Sequence, residues 1–175
     1  MKKIEKNKIG ILGGTFDPAH KGHIKISKEA KRKVDLNEVF WVITKKNPFK
    51  KKSFLSLKKR IDYAKKLNIK NKFIKVYFFE NKIKSNKTID LVKFLKKRYK
   101  KTEFFFIMGA DNLINFHKWK NWKDISKISK ILVFDRLKYK SRSLKSVSYK
   151  ELNEKSLKFI NFKKVNISSS QLRKI

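Results

Sequence analysis

The residues best suited to chemistry are gathered in one short stretch. The chain has five glycines, and Gly10, Gly13, Gly14 and Gly22 all fall between positions 10 and 22. Two of its three histidines, His20 and His23, and one of its two prolines, Pro18, share that stretch, which reads GGTFDPAHKGH from Gly13 to His23. Gly13 and Gly14 allow a tight turn and close approach of backbone to a phosphate. Asp17-Pro18 is a turn initiator. Gly22 then opens a helix, whose first N–H groups and positive dipole end favour an anion. His20 and His23 flank that helix start, where both imidazoles can face one phosphate. The expected chemistry is phosphate binding and charge stabilisation. No GK[ST] follows the glycines and there is no GxGxxG, so this is neither a Walker loop nor a dinucleotide fingerprint. No third ligand stands at a matching spacing, so the pair is not read as a metal site. A lone HxxH would read as core histidines; GGTFDP in front of it turns the reading towards function.

These residues need a scaffold. Lys8–Leu12 reads as a short buried strand that runs into Gly13-Gly14. His23–Val34 carries a mixed helical pattern at Ile24, Ile26, Ala30 and Val34. Glu38–Thr44 is rich in β-branched and aromatic residues and reads as a strand. Ser56–Leu67 reads as a helix with Ser56 as its cap. Lys72–Phe79 is a third strand and Thr88–Tyr99 a helix, with Thr88 as a candidate cap. Glu103–Met108, ending at Gly109, and Lys130–Phe134 are further strands, and Lys158–Phe162 is a last candidate. Arg136–Asn153 is the least patterned region and reads as a loop-rich insertion. Alternating strands and helices imply parallel strands with right-handed crossovers. The near-continuous apolar strands fit a sheet covered on both faces. The expectation is an open doubly wound α/β sheet, with Gly13–His23 and Gly109–Asp111 at the carboxyl ends of its strands, where such sheets bind ligands.

The chain has 175 residues, a length that fits one domain spanning residues 1–175 with a core of ordinary size. Without cysteine it has no disulfide, thiolate chemistry or Cys-based zinc site. No apolar run is long enough to span a bilayer and no signal-peptide pattern precedes the first strand, so a soluble cytoplasmic protein is expected. The net charge of +35 points by itself to a polyanion such as nucleic acid. The lysines are spread along the chain, however, in a composition rich in Lys, Ile, Asn and Phe, as an AT-biased coding sequence would produce. The charge is therefore read as compositional, with no obligatory nucleic-acid partner.

GGTFDPAHKGH resembles the signature of the HxGH nucleotidyltransferase superfamily. His20, where relatives such as phosphopantetheine adenylyltransferase usually carry threonine, leans towards the bacterial nicotinate mononucleotide adenylyltransferases. Three further stretches are similar to that family. TKKNPFK ends in Lys50, a candidate contact for substrate phosphate. NKTIDL matches a family segment at Thr88 and Asp90 but departs from it at Lys87 and Leu91. FIMGADNLINFHKWKNW places Gly109, Asp111 and Trp119 in the family's order. A fourth, ISSSQLR, supplies Ser168, Ser169 and Arg173; the family pattern continues into another helix, whereas this chain ends at Ile175.

The resemblance implies a Rossmann-like nucleotidyltransferase fold and adenylyl transfer from ATP to nicotinate mononucleotide. It implies ATP contacts from Gly13, Gly14, Thr15, Phe16, His20, His23, Gly109, Asp111, Ser168, Ser169 and Arg173, with His20, His23 and Arg173 catalytic. Lys50, Thr88 and Trp119 would meet the acceptor, Trp119 by stacking on the nicotinate ring. Mg2+ would arrive with ATP. Another acceptor, a basic nucleic-acid-binding protein and an inactive ligand-binding relative remain alternative readings.

Overall fold

The computed structural model describes residues 7–46, 53–135, 139–152 and 155–162. Its strands are β1 (Asn7–Gly14), β2 (Glu38–Ile43), β3 (Ile74–Tyr77), β4 (Thr102–Gly109), β5 (Lys130–Phe134) and β6 (Leu157–Ile160). They form one sheet in the order β3-β2-β1-β4-β5-β6, with every pair parallel. The expected doubly wound α/β sheet is what the chain builds.

Side chains alternate between two cores because successive strand residues point to opposite faces. On one face Ile9, Ile11, Phe40, Phe104, Phe106, Ile131 and Val133 pack together. Against them lie α4 (Thr88–Arg98), α5 (Ala110–Asn115) and α6 (Trp122–Ile128) through Val92, Leu95, Leu113 and Ile125. On the other face Leu12, Val39, Trp41, Ile43, Phe105, Ile107 and Leu132 pack with α1 (Lys21–Val34) and α2 (Leu57–Leu67), which contribute Ala30 and Ala64. Each large apolar side chain buried this way contributes roughly 1.5–3 kcal/mol against the entropy of folding.

The strand order creates the ligand edge. Chain flow from β1 to β3 runs one way across the sheet, then returns to place β4 on the other side of β1. At this switch point the pairing of β1 with β4 stops at Leu12↔Ile107. Beyond it Gly13 and Gly14 stay paired with Val42 and Ile43 of β2. Met108 and Gly109 stay paired with Val133 and Phe134 of β5. The two central strands therefore part company at their carboxyl ends, which is where open α/β sheets hold ligands.

Two readings of the sequence need correction. The region read as a loop-rich insertion contains α7 (Lys140–Leu144) and α8 (Val147–Glu151). Each is five residues long, too short for apolar periodicity to announce it, and α8 starts from a Ser146 side-chain cap. Thr88 is the first helical residue of α4 and not its cap. The start is organised instead by Ser85, whose hydroxyl accepts the Lys87 amide at 3.1 Å and donates to Asp90 at 2.6 Å. Another short helix, α3 (Glu80–Ile83), follows β3.

Candidate active site at the strand switch point

The start of α1 is capped by its two histidines. The Gly22 amide donates to Nδ1 of His20 at 3.1 Å, and the His20 amide donates to Nδ1 of His23 at 3.1 Å. This is a capping box with histidine at both positions, where serine or threonine and a glutamate are the usual occupants. The amide of Gly22, expected to be open to an anion, is thus taken by the His20 ring. The consequence is chemical. With the Nδ1 lone pair of each neutral imidazole occupied by an N–H, the ring proton lies on Nε2. Both rings are fixed as Nε2–H donors. Their centroids are 3.8 Å apart at 39°.

Packing from below fixes the position of His23. The Phe16 ring lies 4.8 Å from that of His23 and stacks on Trp41 at 5.0 Å. Trp41 is fully buried and meets His23 edge-on at 5.8 Å. Its Nε1–H donates to the Ser27 hydroxyl at 2.8 Å, and that hydroxyl donates to the His23 carbonyl at 2.9 Å. The buried indole thus finds a partner that also holds the first turn of α1.

The glycines do less turning than expected. Among the described residues no glycine has positive φ; the left-handed residue of the loop is Phe16, at φ 46°. Gly13 and Gly14 remain in β1. A Cβ on Gly13 would find Phe106 Cζ at 3.9 Å and nothing nearer, so the missing side chain leaves open space at the strand end. Close approach of a ligand is the use of Gly13 that this geometry supports.

A network that sequence reasoning missed ties the loops around the site together. Arg60, in α2, is 2 % exposed. Its guanidinium donates to the carbonyls of Thr15, Thr44, Lys45 and Leu55 at 2.7, 2.8, 3.0 and 3.2 Å. Desolvation lowers its pKa from the usual arginine value, and the carboxylates of Asp17 and Glu80 oppose that shift. Asp17, 2 % exposed, accepts the amides of Phe54 and Leu55 at 2.6 and 2.8 Å. Glu80 accepts the Thr44 hydroxyl at 2.6 Å and the Lys45 amide at 3.0 Å. The segments after β1, β2 and β3 are cross-braced by these three charges.

The remaining expected residues are distributed as follows. Thr15, Phe16, His20 and His23 share the loop and helix start after β1. Gly109 ends β4 and Asp111 lies in the first turn of α5, across the switch point. Trp119 is half-buried, edge-on to Phe106 at 6.0 Å and Phe116 at 5.3 Å. Thr88 begins α4, on the face of the sheet that α5 and α6 also cover. Lys50, Ser168, Ser169 and Arg173 lie outside the described residues. A lysine-lined groove of about 660 Å³ sits at the opposite edge, where β4 and β5 begin, and contains none of these residues. Among the described residues no group of three or more His, Cys, Asp or Glu side chains is placed to hold a metal ion.

Residues 11–175 match the cytidylyltransferase-like family model. A protein of Pelagibacter ubique (strain HTCC1062), named "Probable nicotinate-nucleotide adenylyltransferase", is 64% identical over 171 residues, 98% of this chain and 94% of the relative. The chain belongs to the nicotinate-nucleotide adenylyltransferase family. A namesake from Ruegeria sp. (strain TM1040) is 37% identical over 117 residues, 67% of this chain and 61% of the relative. Among solved structures, the nicotinic acid mononucleotide adenylyltransferase of Plasmodium falciparum complexed with APC aligns with TM-score 0.75 at 22% identity. The alignment covers 96% of this chain and 83% of that one. The same enzyme complexed with NaAD aligns with TM-score 0.74. These neighbours share the fold of this family member. No helix among its described residues is long and apolar enough to cross a membrane.

Proposed function

We propose that the chain transfers the adenylyl group of ATP to nicotinate mononucleotide, forming nicotinate adenine dinucleotide and pyrophosphate. The observation that carries this reading is the histidine pair fixed as Nε2–H donors beside the parting of β1 and β4. In the reaction an oxygen of the acceptor phosphate attacks the α-phosphorus of ATP in line. One P–O bond forms, and the bond from the α-phosphorus to the β-bridging oxygen breaks. The acceptor phosphate is already anionic near neutral pH, so no general base is required. The protein orients the reactants and stabilises charge, which is the main catalytic demand of such transfers.

His20 and His23 donate from Nε2 to phosphate oxygens as negative charge shifts towards the leaving group. Gly13 lets the nucleotide approach the β1 backbone. Asp111 contacts the ribose and Trp119 holds the flat nicotinate ring, an arrangement suited to an indole. Lys50 and Thr88 meet the acceptor, while Ser168, Ser169 and Arg173 hold the departing pyrophosphate. These assignments follow the family pattern. ATP enters as its magnesium complex. Magnesium would be held by phosphate oxygens and water, in line with its preference for oxygen ligands, while both imidazoles spend their Nδ1 lone pairs on backbone amides.

The test is product formation from ATP and magnesium with nicotinate mononucleotide, nicotinamide mononucleotide and phosphopantetheine offered separately. Nicotinate adenine dinucleotide from the first, well above turnover of the others, supports the reading. Turnover of another acceptor alone would keep the chemistry and discard the substrate.

A further inference from the structure

The loop that carries the histidines holds a bulky residue in a disfavoured backbone conformation. Phe16 sits at φ 46°, in the left-handed region that side chains other than glycine, asparagine and aspartate rarely occupy. Such conformations persist where the surroundings over-determine them. Here both neighbours of Phe16 are anchored. The Thr15 carbonyl accepts from Arg60 at 2.7 Å, and the Asp17 carboxylate is fixed by the amides of Phe54 and Leu55. Arg60 also donates to Leu55, so it braces the second anchor as well as the first. What the two anchors hold in place is the Phe16 ring, 4.8 Å from the His23 imidazole.

We propose that Arg60 is a positioning residue for adenylyl transfer, acting through Phe16 on the orientation of His23; this rests on the function proposed above. Its chemistry suits the task. A guanidinium presents five N–H donors in a rigid plane, and here they reach four carbonyls on three separate stretches of chain. A lysine ammonium has three donors on a flexible stem and cannot span the same set. Arg60→Lys therefore keeps the charge between Asp17 and Glu80 and removes the geometry.

The experiment measures kcat and KM for ATP and nicotinate mononucleotide in the wild type, Arg60→Lys, His23→Ala and the double variant. The temperature is one at which circular dichroism shows all four folded. Arg60→Lys is expected to lower kcat about 100-fold, the scale of a small misplacement at a reacting centre, with a much smaller change in either KM. In the His23→Ala background the same substitution should change kcat by no more than about twofold, because the two residues act as one unit.

A readout independent of turnover accompanies this. With three histidines in the chain, side-chain 15N spectra resolve each ring. His23 should show the Nε2–H tautomer in the wild type and mixed tautomers in Arg60→Lys. A folded Arg60→Lys with wild-type kcat, or an equal further loss in the His23→Ala background, overturns the proposal. A wild-type rate in His23→Ala alone would instead overturn the function reading. Should Arg60→Lys not fold, Phe16→Leu decides: a wild-type kcat and an unchanged His23 signal there would refute the route through Phe16, and loss of both would uphold it.

Discussion

The backbone amide of His20 donates to Nδ1 of His23 at 3.1 Å, so the helix cap and the candidate catalytic pair are the same two residues. This makes stability and chemistry separable by substitution. Asn is a strong N-cap. His20→Asn should keep the melting temperature close to wild type while kcat falls by about 100-fold or more, the scale of removing one preorganised donor. Thermal melts and steady-state rates on the same preparation check this.

Gly10 and Gly13 should respond in opposite ways to alanine. A Cβ on Gly10 would lie 2.8 Å from Leu36 Cδ1 and 2.9 Å from Ile107 Cδ1, both inside the core. These are side-chain ends that can shift, so Gly10→Ala should cost about 1 kcal/mol of overpacking and leave kcat unchanged. Gly13→Ala has room in the protein. It should leave the melt unchanged and raise KM for ATP about tenfold, equivalent to about 1.4 kcal/mol of lost binding. A destabilised Gly13→Ala with normal KM would remove Gly13 from the binding site.

Ser27→Ala should destabilise the fold more than an ordinary serine deletion does. It strips the buried Trp41 N–H of its partner at 2.8 Å, which costs about 1–3 kcal/mol. Chemical denaturation measures this directly. A double-mutant cycle with Trp41→Phe should show coupling, because the phenylalanine has no N–H to leave unpaired.

Trp119→Ala should raise KM for nicotinate mononucleotide about tenfold or more with little change in KM for ATP. Trp119→Phe should recover part of the loss, since a ring can still pack edge-on to Phe106 and Phe116. Equal effects on both substrates would mark Trp119 as a packing residue only.

The centre of the sheet was legible because β2, β4 and β5 are apolar on both faces. EFFFIM and KILVF cannot be read as exposed segments, and β5 coincides with the expected span Lys130–Phe134. GGTFDPAHKGH stood out because glycine and histidine are scarce in this chain. The short helices α3, α7 and α8 were not legible, since a turn or so of helix carries no period to detect. The histidine caps were hidden because histidine is not a usual N-cap. Arg60 was hidden among 49 lysines and arginines. One signal could have found it: Arg60 is four positions before Ala64, on the stripe that also carries Leu57, Ile61 and Leu67. A basic residue on the buried side of a helix needs several acceptors, and the carbonyls of three neighbouring segments supply them.

In the proposed reaction His23 stabilises charge on the transferring phosphates from Nε2. The measurement that tests it most directly is pyrophosphate release by His23→Ala, at saturating ATP and nicotinate mononucleotide, beside a thermal melt of the same sample. The expected result is a kcat lower by about 100-fold to 1,000-fold in a protein that still melts cooperatively. A folded His23→Ala that releases pyrophosphate at the wild-type rate would contradict it.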